Sequence, residues 1–184
     1  MPKGLKMTSS PIAVSGSASA VTDPTAVQFS SKRVDLQLNP LDNEVFVVTG
    51  VKIDFTNPII EFDGSATGFK FLSQKASLST TEQTTYAGIA SPSVIAASAI
   101  DATANLTTQP NYYAAMEQNA MDAPPATMDY LAIIATNDFF VNFRLGSGYL
   151  AGQTGGIEFR VYGYRAVADA STYAALVQSE LLSS

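Results

Sequence analysis

In short stretches between Val34 and Leu72, apolar and polar residues alternate along the chain. This period is typical of strands that bury one face. Turn-forming sequences that contain Asn, Asp, Gly or Pro lie between the alternating stretches. The pattern predicts five short strands, over residues 34–38, 44–48, 51–55, 59–62 and 68–72. Short strands separated by turns favour a sandwich or barrel over alternating strands and helices.

The same alternation returns after Asp129. It predicts three more strands, over residues 130–135, 139–145 and 157–164. In the last strand, Tyr162 and Tyr164 fall on the face opposite to the core residues. The total of about eight strands is the number that a jelly roll requires. We therefore predict an all-β fold, a jelly-roll β-sandwich of about eight strands.

Two stretches predict helices that accompany the sandwich. Residues 111–122 predict a short internal helix, because several apolar residues fall toward one face and Pro124-Pro125 follows as a stop. Asp169 is a suitable N-cap for a C-terminal helix over residues 170–182. The apolar stripe of this second helix consists of Tyr173, Leu176, Val177 and Leu181.

Residues 1–27 are rich in Ser, Ala, Thr, Gly and Pro, a composition that buries little apolar surface. They predict a flexible N-terminal arm, which either remains a mobile tail or becomes ordered on a neighbouring subunit. Residues 28–184 are expected to form a single β-sandwich domain. Segment 76–127 contains no Lys or Arg and is expected to be inserted into that domain, where it covers the sandwich or contacts another subunit.

Composition excludes much familiar chemistry. The chain contains no Cys, His or Trp, which removes Cys/His zinc sites, thiolate and imidazole nucleophiles, Ser-His pairs and disulfides. Ten Lys and Arg residues against sixteen Asp and Glu give a net charge of −6, the wrong sign for a surface that binds phosphates. Nucleic acid is therefore expected to contact at most the weakly basic N-terminal arm. No stretch approaches about 18 apolar residues, so no membrane span is expected.

Possible sites of chemistry each have a simpler interpretation. The glycine-rich segment 146–156 is followed by a strand, whereas a phosphate-binding loop is followed by a helix, so a hairpin loop is favoured. Two carboxylates about 5–10 Å apart can hydrolyse glycosides, and loop carboxylates can bind calcium. Turn capping and solvated strand faces remain the favoured roles, so we predict no catalytic, cofactor or metal residues. The carboxylates concerned are Asp42, Glu44, Asp54, Glu61, Asp63, Asp122 and Asp129.

Aromatic residues are the remaining candidates for a binding surface. Tyrosine is enriched at protein interfaces because it buries a large ring and keeps a polar tip. Packing within or beside the sandwich is the open alternative. The predicted interface set is Tyr112, Tyr113, Tyr149, Tyr162, Tyr164, Tyr173 and Leu176.

The C-terminal third, from Asp129-Tyr130-Leu131-Ala132-Ile133-Ile134 through Ile157-Glu158-Phe159-Arg160-Val161-Tyr162-Gly163-Tyr164, resembles the closing strands of virion proteins of bacterial or archaeal viruses. The resemblance implies a non-enzymatic subunit that self-assembles into a capsid shell or its decoration. It further implies synthesis in the host cytoplasm, location in the virion, and contacts with itself and other virion proteins. The alternative is an extracellular or virion-surface β-sandwich module that binds a glycan or receptor.

Overall fold

The computed structural model describes residues 4–23, 25–56, 68–105, 112–118, 122–124, 126–147 and 149–182. Two antiparallel sheets face each other. Sheet I contains β1 (Leu5–Met7), β2 (Ile12–Val21), β4 (Glu44–Thr56), β8 (Ala132–Ile134) and β10 (Thr154–Ala168). Sheet II contains β3 (Gln28–Asp35), β5 (Phe69–Ser79), β6 (Val94–Asn105), β7 (Tyr112–Gln118) and β9 (Asp138–Leu145). A 3₁₀ turn covers Pro40–Asp42, and the C-terminal helix α1 covers Ala170–Leu182.

The strand order identifies the architecture. Sheet I runs β2-β10-β4-β8, and sheet II runs β3-β9-β5-β6, with every neighbouring pair antiparallel. Eight strands in two sheets, with the chain crossing repeatedly from one sheet to the other, form the double Greek key of a jelly roll. Two further strands extend the sheets, since β1 joins the edge of β10 beside β2 and β7 joins β6. The predicted jelly-roll β-sandwich is confirmed.

The core between the sheets is built by the alternation seen in the sequence. Phe139, Val141 and Phe143 of β9 are completely buried against sheet I. The rings of Phe139 and Phe159 meet edge to face, with their centroids 5.9 Å apart. This arrangement adds a specific aromatic contact to the burial of apolar surface.

A β-bulge in β4 exchanges the faces of that strand. Tyr162 pairs with Gly50 but Gly163 pairs with Val48, so Thr49 is an extra residue. The predicted strands 44–48 and 51–55 are consequently one continuous strand whose core-facing side changes at the bulge. Before the bulge, the odd-numbered residues Val45 and Val47 lie on the outer face of sheet I, in the cluster on which α1 packs. Beyond the bulge, the odd-numbered residues Val51 and Ile53 face the core instead.

Helix α1 covers one part of the outer face of sheet I. Asp169 caps it as predicted, because its Oδ1 accepts a hydrogen bond from the Thr172 N–H at 2.8 Å, and such hydrogen bonds hold the pKa of Asp169 below its usual value. Tyr173, Leu176 and Val177 pack on the sheet. The prediction is wrong for Leu181, the fourth residue of the stripe, because its side chain is 65% exposed.

Two other sequence predictions are corrected. The short internal helix over 111–122 is wrong, because residues 112–118 form β7 and pair along the edge of β6. A short isolated helix is marginal in water, whereas a strand at this edge gains backbone hydrogen bonds from its neighbour. The predicted flexible arm instead supplies β1 and β2, and β2 pairs with ten consecutive residues of β10. Small side chains suit this position, since Gly16 lies against the ring of Phe159.

Two further predicted segments lie wholly or partly outside the residues that the structure describes. The strand predicted over 59–62 lies outside the residues that the structure describes. The described part of segment 76–127 supplies the end of β5, all of β6 and β7 within sheet II.

Candidate interaction surfaces

The predicted interface residues whose side chains the structure describes do not form one surface. Tyr149 is 1% exposed and packs beside Leu72 and Ala102. Burial raises the pKa of its phenol, although a hydrogen bond with Gln74 opposes that effect. Tyr164 lies on the outer face of sheet I, as predicted, but is buried in the cluster beneath α1. Both rings stabilise the subunit internally.

Tyr173 and Leu176 also serve the contact between α1 and sheet I. Both are half-buried against the sheet, and the Tyr173 hydroxyl donates to the Ala135 carbonyl at 3.4 Å. The backbones of Tyr112 and Tyr113 belong to β7, but their side chains lie outside the described part of the structure. Tyr162 lines an open groove of its own, away from α1.

This groove lies on the outer face of sheet I, on strands β2, β10 and β4, and has a volume of about 390 Å³. Small residues of β2 form one wall, so the edge strand leaves the neighbouring charged side chains uncovered. The lining residues are Ser15, Gly16, Ser17, Lys52, Asp54, Glu158, Phe159, Arg160 and Tyr162.

In the groove, residues of like charge lie opposite each other on the neighbouring strands β4 and β10. Asp54 and Glu158 are paired residues on adjacent strands, and we call them the acidic row. Lys52 and Arg160 are paired in the same way two residues further along, and we call them the basic row. Within β4, Lys52 Nζ and Asp54 Oδ2 are 2.8 Å apart, and this ion pair raises the pKa of Lys52.

A buried carboxylate that the sequence analysis missed joins α1 to the turn before β9. Glu180 is 8% exposed, and its two oxygens accept hydrogen bonds from the N–H groups of Ala135 at 2.8 Å and Thr136 at 2.9 Å. Burial raises the pKa of Glu180, and these hydrogen bonds oppose the rise. Glu180 follows Tyr173 by seven residues and Leu176 by four, so helical spacing already placed it on the packed side.

The outer face of sheet II contains a second polar feature that the sequence did not reveal. Asn142 is completely buried, donates to Ser79 Oγ at 2.8 Å and accepts from Ser31 Oγ at 2.9 Å. The ammonium group of Lys75 lies 5.9 Å from the centroid of the Tyr86 ring. The Asn142 contacts join β3, β9 and β5, and the Lys75 contact holds the segment after β5 against the sheet.

Several of the carboxylates that the sequence offered as candidates lie among the described residues and have local structural roles. Asn39 donates its backbone N–H to Glu44 Oε2 at 3.0 Å in the turn before β4. The backbone of Asp122 forms an isolated bridge with Val51, and burial raises the pKa of its carboxyl group. Glu61 and Asp63 lie outside the described residues. The connection from β9 in sheet II to β10 in sheet I ends at Gln153, whose N–H donates to Thr22 Oγ1 at 2.9 Å. The expected hairpin loop is therefore wrong, because the two strands lie in different sheets.

The described residues contain neither a cluster of metal ligands nor a membrane-spanning helix. No group of three or more Asp and Glu side chains is placed to hold a metal ion in that part of the chain. No helix among the same residues has both the length and the apolar character needed to cross a membrane.

Comparison by sequence finds no matching family model and no matching curated protein. Solved structures do match. Merkel cell polyomavirus VP1, as an unassembled pentamer, aligns over 77% of this chain and 78% of its own at 12% identity, with a TM-score of 0.33. VP1 of trichodysplasia spinulosa-associated polyomavirus, in complex with 6'-sialyllactose, aligns over 92% and 97% at 8% identity, with a TM-score of 0.34.

A third structure, of infectious bursal disease virus strain Gt, aligns over 90% of this chain at 15% identity, with a TM-score of 0.28. The chain spans 35% of that relative's length. All three are viral capsid proteins, in keeping with the resemblance to virion proteins seen in the sequence. The jelly-roll assignment of this chain rests on its strand order.

Proposed function

We propose that this protein is a structural subunit that self-associates to build or decorate a virus shell. The observation that carries the proposal is the exposed side of α1. Glu180 is the one charged residue between Ala170 and Leu182, and its carboxylate is buried against the sheet. Surface helices normally present charged residues to water, whereas the centres of protein interfaces are depleted in charge.

The chemistry of this exposed side suits a protein partner. Ala174, Ala175 and Gln178 are exposed, and the helix ends at Leu182, which is 77% exposed. Large apolar side chains are also exposed elsewhere, including Ile89 at 68% and Phe71 at 60%. Charged residues are 14% of the chain, below the roughly 25% that is typical of globular proteins. Coverage of α1 by another subunit would remove this apolar surface from water.

The open groove supports a structural role more than the alternative of a glycan-binding module. Glycan sites commonly use aromatic rings as stacking surfaces. The lining of this groove offers Tyr162 together with Phe159, and Phe159 is 3% exposed because its ring belongs to the core.

Light scattering coupled to size-exclusion chromatography, with electron microscopy of the eluted material, tests the proposal. We expect the purified protein to form oligomers or particles in a concentration-dependent manner. Introducing one charge with either Ala175→Glu or Gln178→Glu should weaken that association, because the interface would have to bury an unpaired carboxylate. Ala126→Glu, at an exposed loop position, is the matched control. A wild-type protein that stays monomeric at high concentration would refute the proposal.

A further inference from the structure

We infer that the groove on sheet I binds the same groove of a second copy of this chain, across a two-fold axis that pairs each acidic row with the partner's basic row. This inference rests on the proposed self-association and assigns one of its contact surfaces. The surface is separate from the exposed side of α1, as a shell subunit needs more than one contact.

The charge pattern is poorly suited to an isolated sheet. Opposite charges on paired residues of adjacent strands stabilise a sheet, whereas like charges in that position destabilise it. Here Asp54 pairs with Glu158, and Lys52 pairs with Arg160. The described part of the chain contains one ion pair among these four residues, between Lys52 and Asp54. Glu158 and Arg160 are both exposed, so their charges remain available to a partner.

The geometry of the two rows makes the face self-complementary. Each row runs across β4 and β10, and two residues along a strand separate the rows by about 6.6 Å. A two-fold axis that lies in the contact plane, parallel to the rows and midway between them, reverses the strand direction in the second copy. Each acidic row then faces a basic row, which gives four opposite-charge pairs across one isologous contact.

The surroundings of the rows leave room for such a contact. Glu158 pairs with Ser17 and Arg160 pairs with Ser15, so β2 flanks the rows with short side chains. The side chains of Lys52 and Asp54 are 53% and 48% exposed. Exposed ion pairs contribute little affinity, so we expect the charges to determine the register and salt dependence of the contact. Association should therefore weaken as ionic strength rises.

Two double variants test the inference by charge exchange. Lys52→Glu with Arg160→Glu makes the groove wholly acidic, and Asp54→Lys with Glu158→Lys makes it wholly basic. Each variant alone should lose the two-fold contact, with an apparent Kd raised about tenfold or more because like charges face each other. An equimolar mixture should restore association, and native mass spectrometry should show dimers that contain one copy of each variant.

The controls separate this inference from the proposed function. Asp42→Lys with Glu82→Lys changes the net charge by the same amount as the basic variant, at two exposed sites away from the groove, and should leave association unchanged. If the wild type associates but either groove variant associates equally well, or if the mixture does not recover, the two-fold contact is refuted while self-association stands. If the wild type does not associate at all, both are refuted.

Discussion

The carboxylate of Glu180 is expected to be a principal attachment of α1 to the sandwich. It accepts two backbone hydrogen bonds, from Ala135 and Thr136, at the point where β8 ends. Glu180→Ala removes both acceptors and leaves two backbone N–H groups without their partners. The same change also removes the negative charge that strengthens hydrogen bonds of this kind.

The expected magnitude follows from these contacts. A buried donor that loses its partner costs about 1–3 kcal/mol. The Ala135 contact is buried and the Thr136 contact is partly buried, so water can replace some of the second bond. We therefore expect Glu180→Ala to lower the free energy of unfolding by about 3 kcal/mol. For a chain of this size, that loss corresponds to a fall in Tm of about 6–12 °C.

Denaturant unfolding followed by circular dichroism, together with calorimetry, measures this effect. Gln178→Ala lies on the same helix but at an exposed position, and it should change stability by less than about 0.5 kcal/mol. If Glu180→Ala costs less than about 1 kcal/mol, or no more than its control, the two backbone contacts do not hold the helix and the reasoning fails.

Four further outcomes are expected. Leu176→Ala should destabilise the subunit by about 2 kcal/mol in denaturant unfolding, because its half-buried side chain packs on sheet I; an unchanged midpoint would contradict that packing. Gly163→Ala should cost about 1–3 kcal/mol, since a Cβ there would collide with the Val47 carbonyl and the Phe46 ring, whereas Gly88→Ala has room and should be neutral. Deleting residues 1–26 removes β1 and β2 and should abolish cooperative melting; a native-like transition would refute their structural role. The hydrogen bonds to Asp169 lower its pKa from 3.8, so they stabilise the fold above pH 3.8 and that contribution is lost as the pH falls through the lowered value; Asp169→Asn should show a smaller loss of stability in an acid titration.

The strands of the core could be predicted because their period reports burial directly. In β10, Ile157, Phe159 and Val161 face the core, and the intervening residues face outward, as the alternation indicates. The Asp169 cap is equally local, since an N-cap is defined by residues within one turn. Such features depend only on residues that are close in the sequence, so the sequence alone predicts them.

The N-terminal strands and β7 form because other strands pair with them. The partner of β1 and β2 is β10, which is distant in the sequence, whereas the partner of β7 is the preceding strand β6. The alternation in β2 uses mostly Ser, Ala and Gly, which bury little apolar surface. β2 becomes a strand because β10 offers it an edge; Val14, for example, pairs with Val161. Residues 112–118 are held in the same way by β6. Local propensity is a weak guide where tertiary pairing supplies the hydrogen bonds.

The charged groove could not be predicted because it depends on the register across two strands and on one extra residue. Up to Val48, the odd-numbered residues of β4 face α1; beyond the bulge at Thr49, the even-numbered residues Lys52 and Asp54 face outward. A slip of one residue turns every side chain to the opposite face of a sheet. A strand without Thr49 in its extra position would either turn Lys52 and Asp54 into the core or remove Val45 and Val47 from the helix. The bulge therefore lets a single strand present both the helix-covered region and the charged groove on the outer face of sheet I, and the proposed two-fold contact depends on that groove.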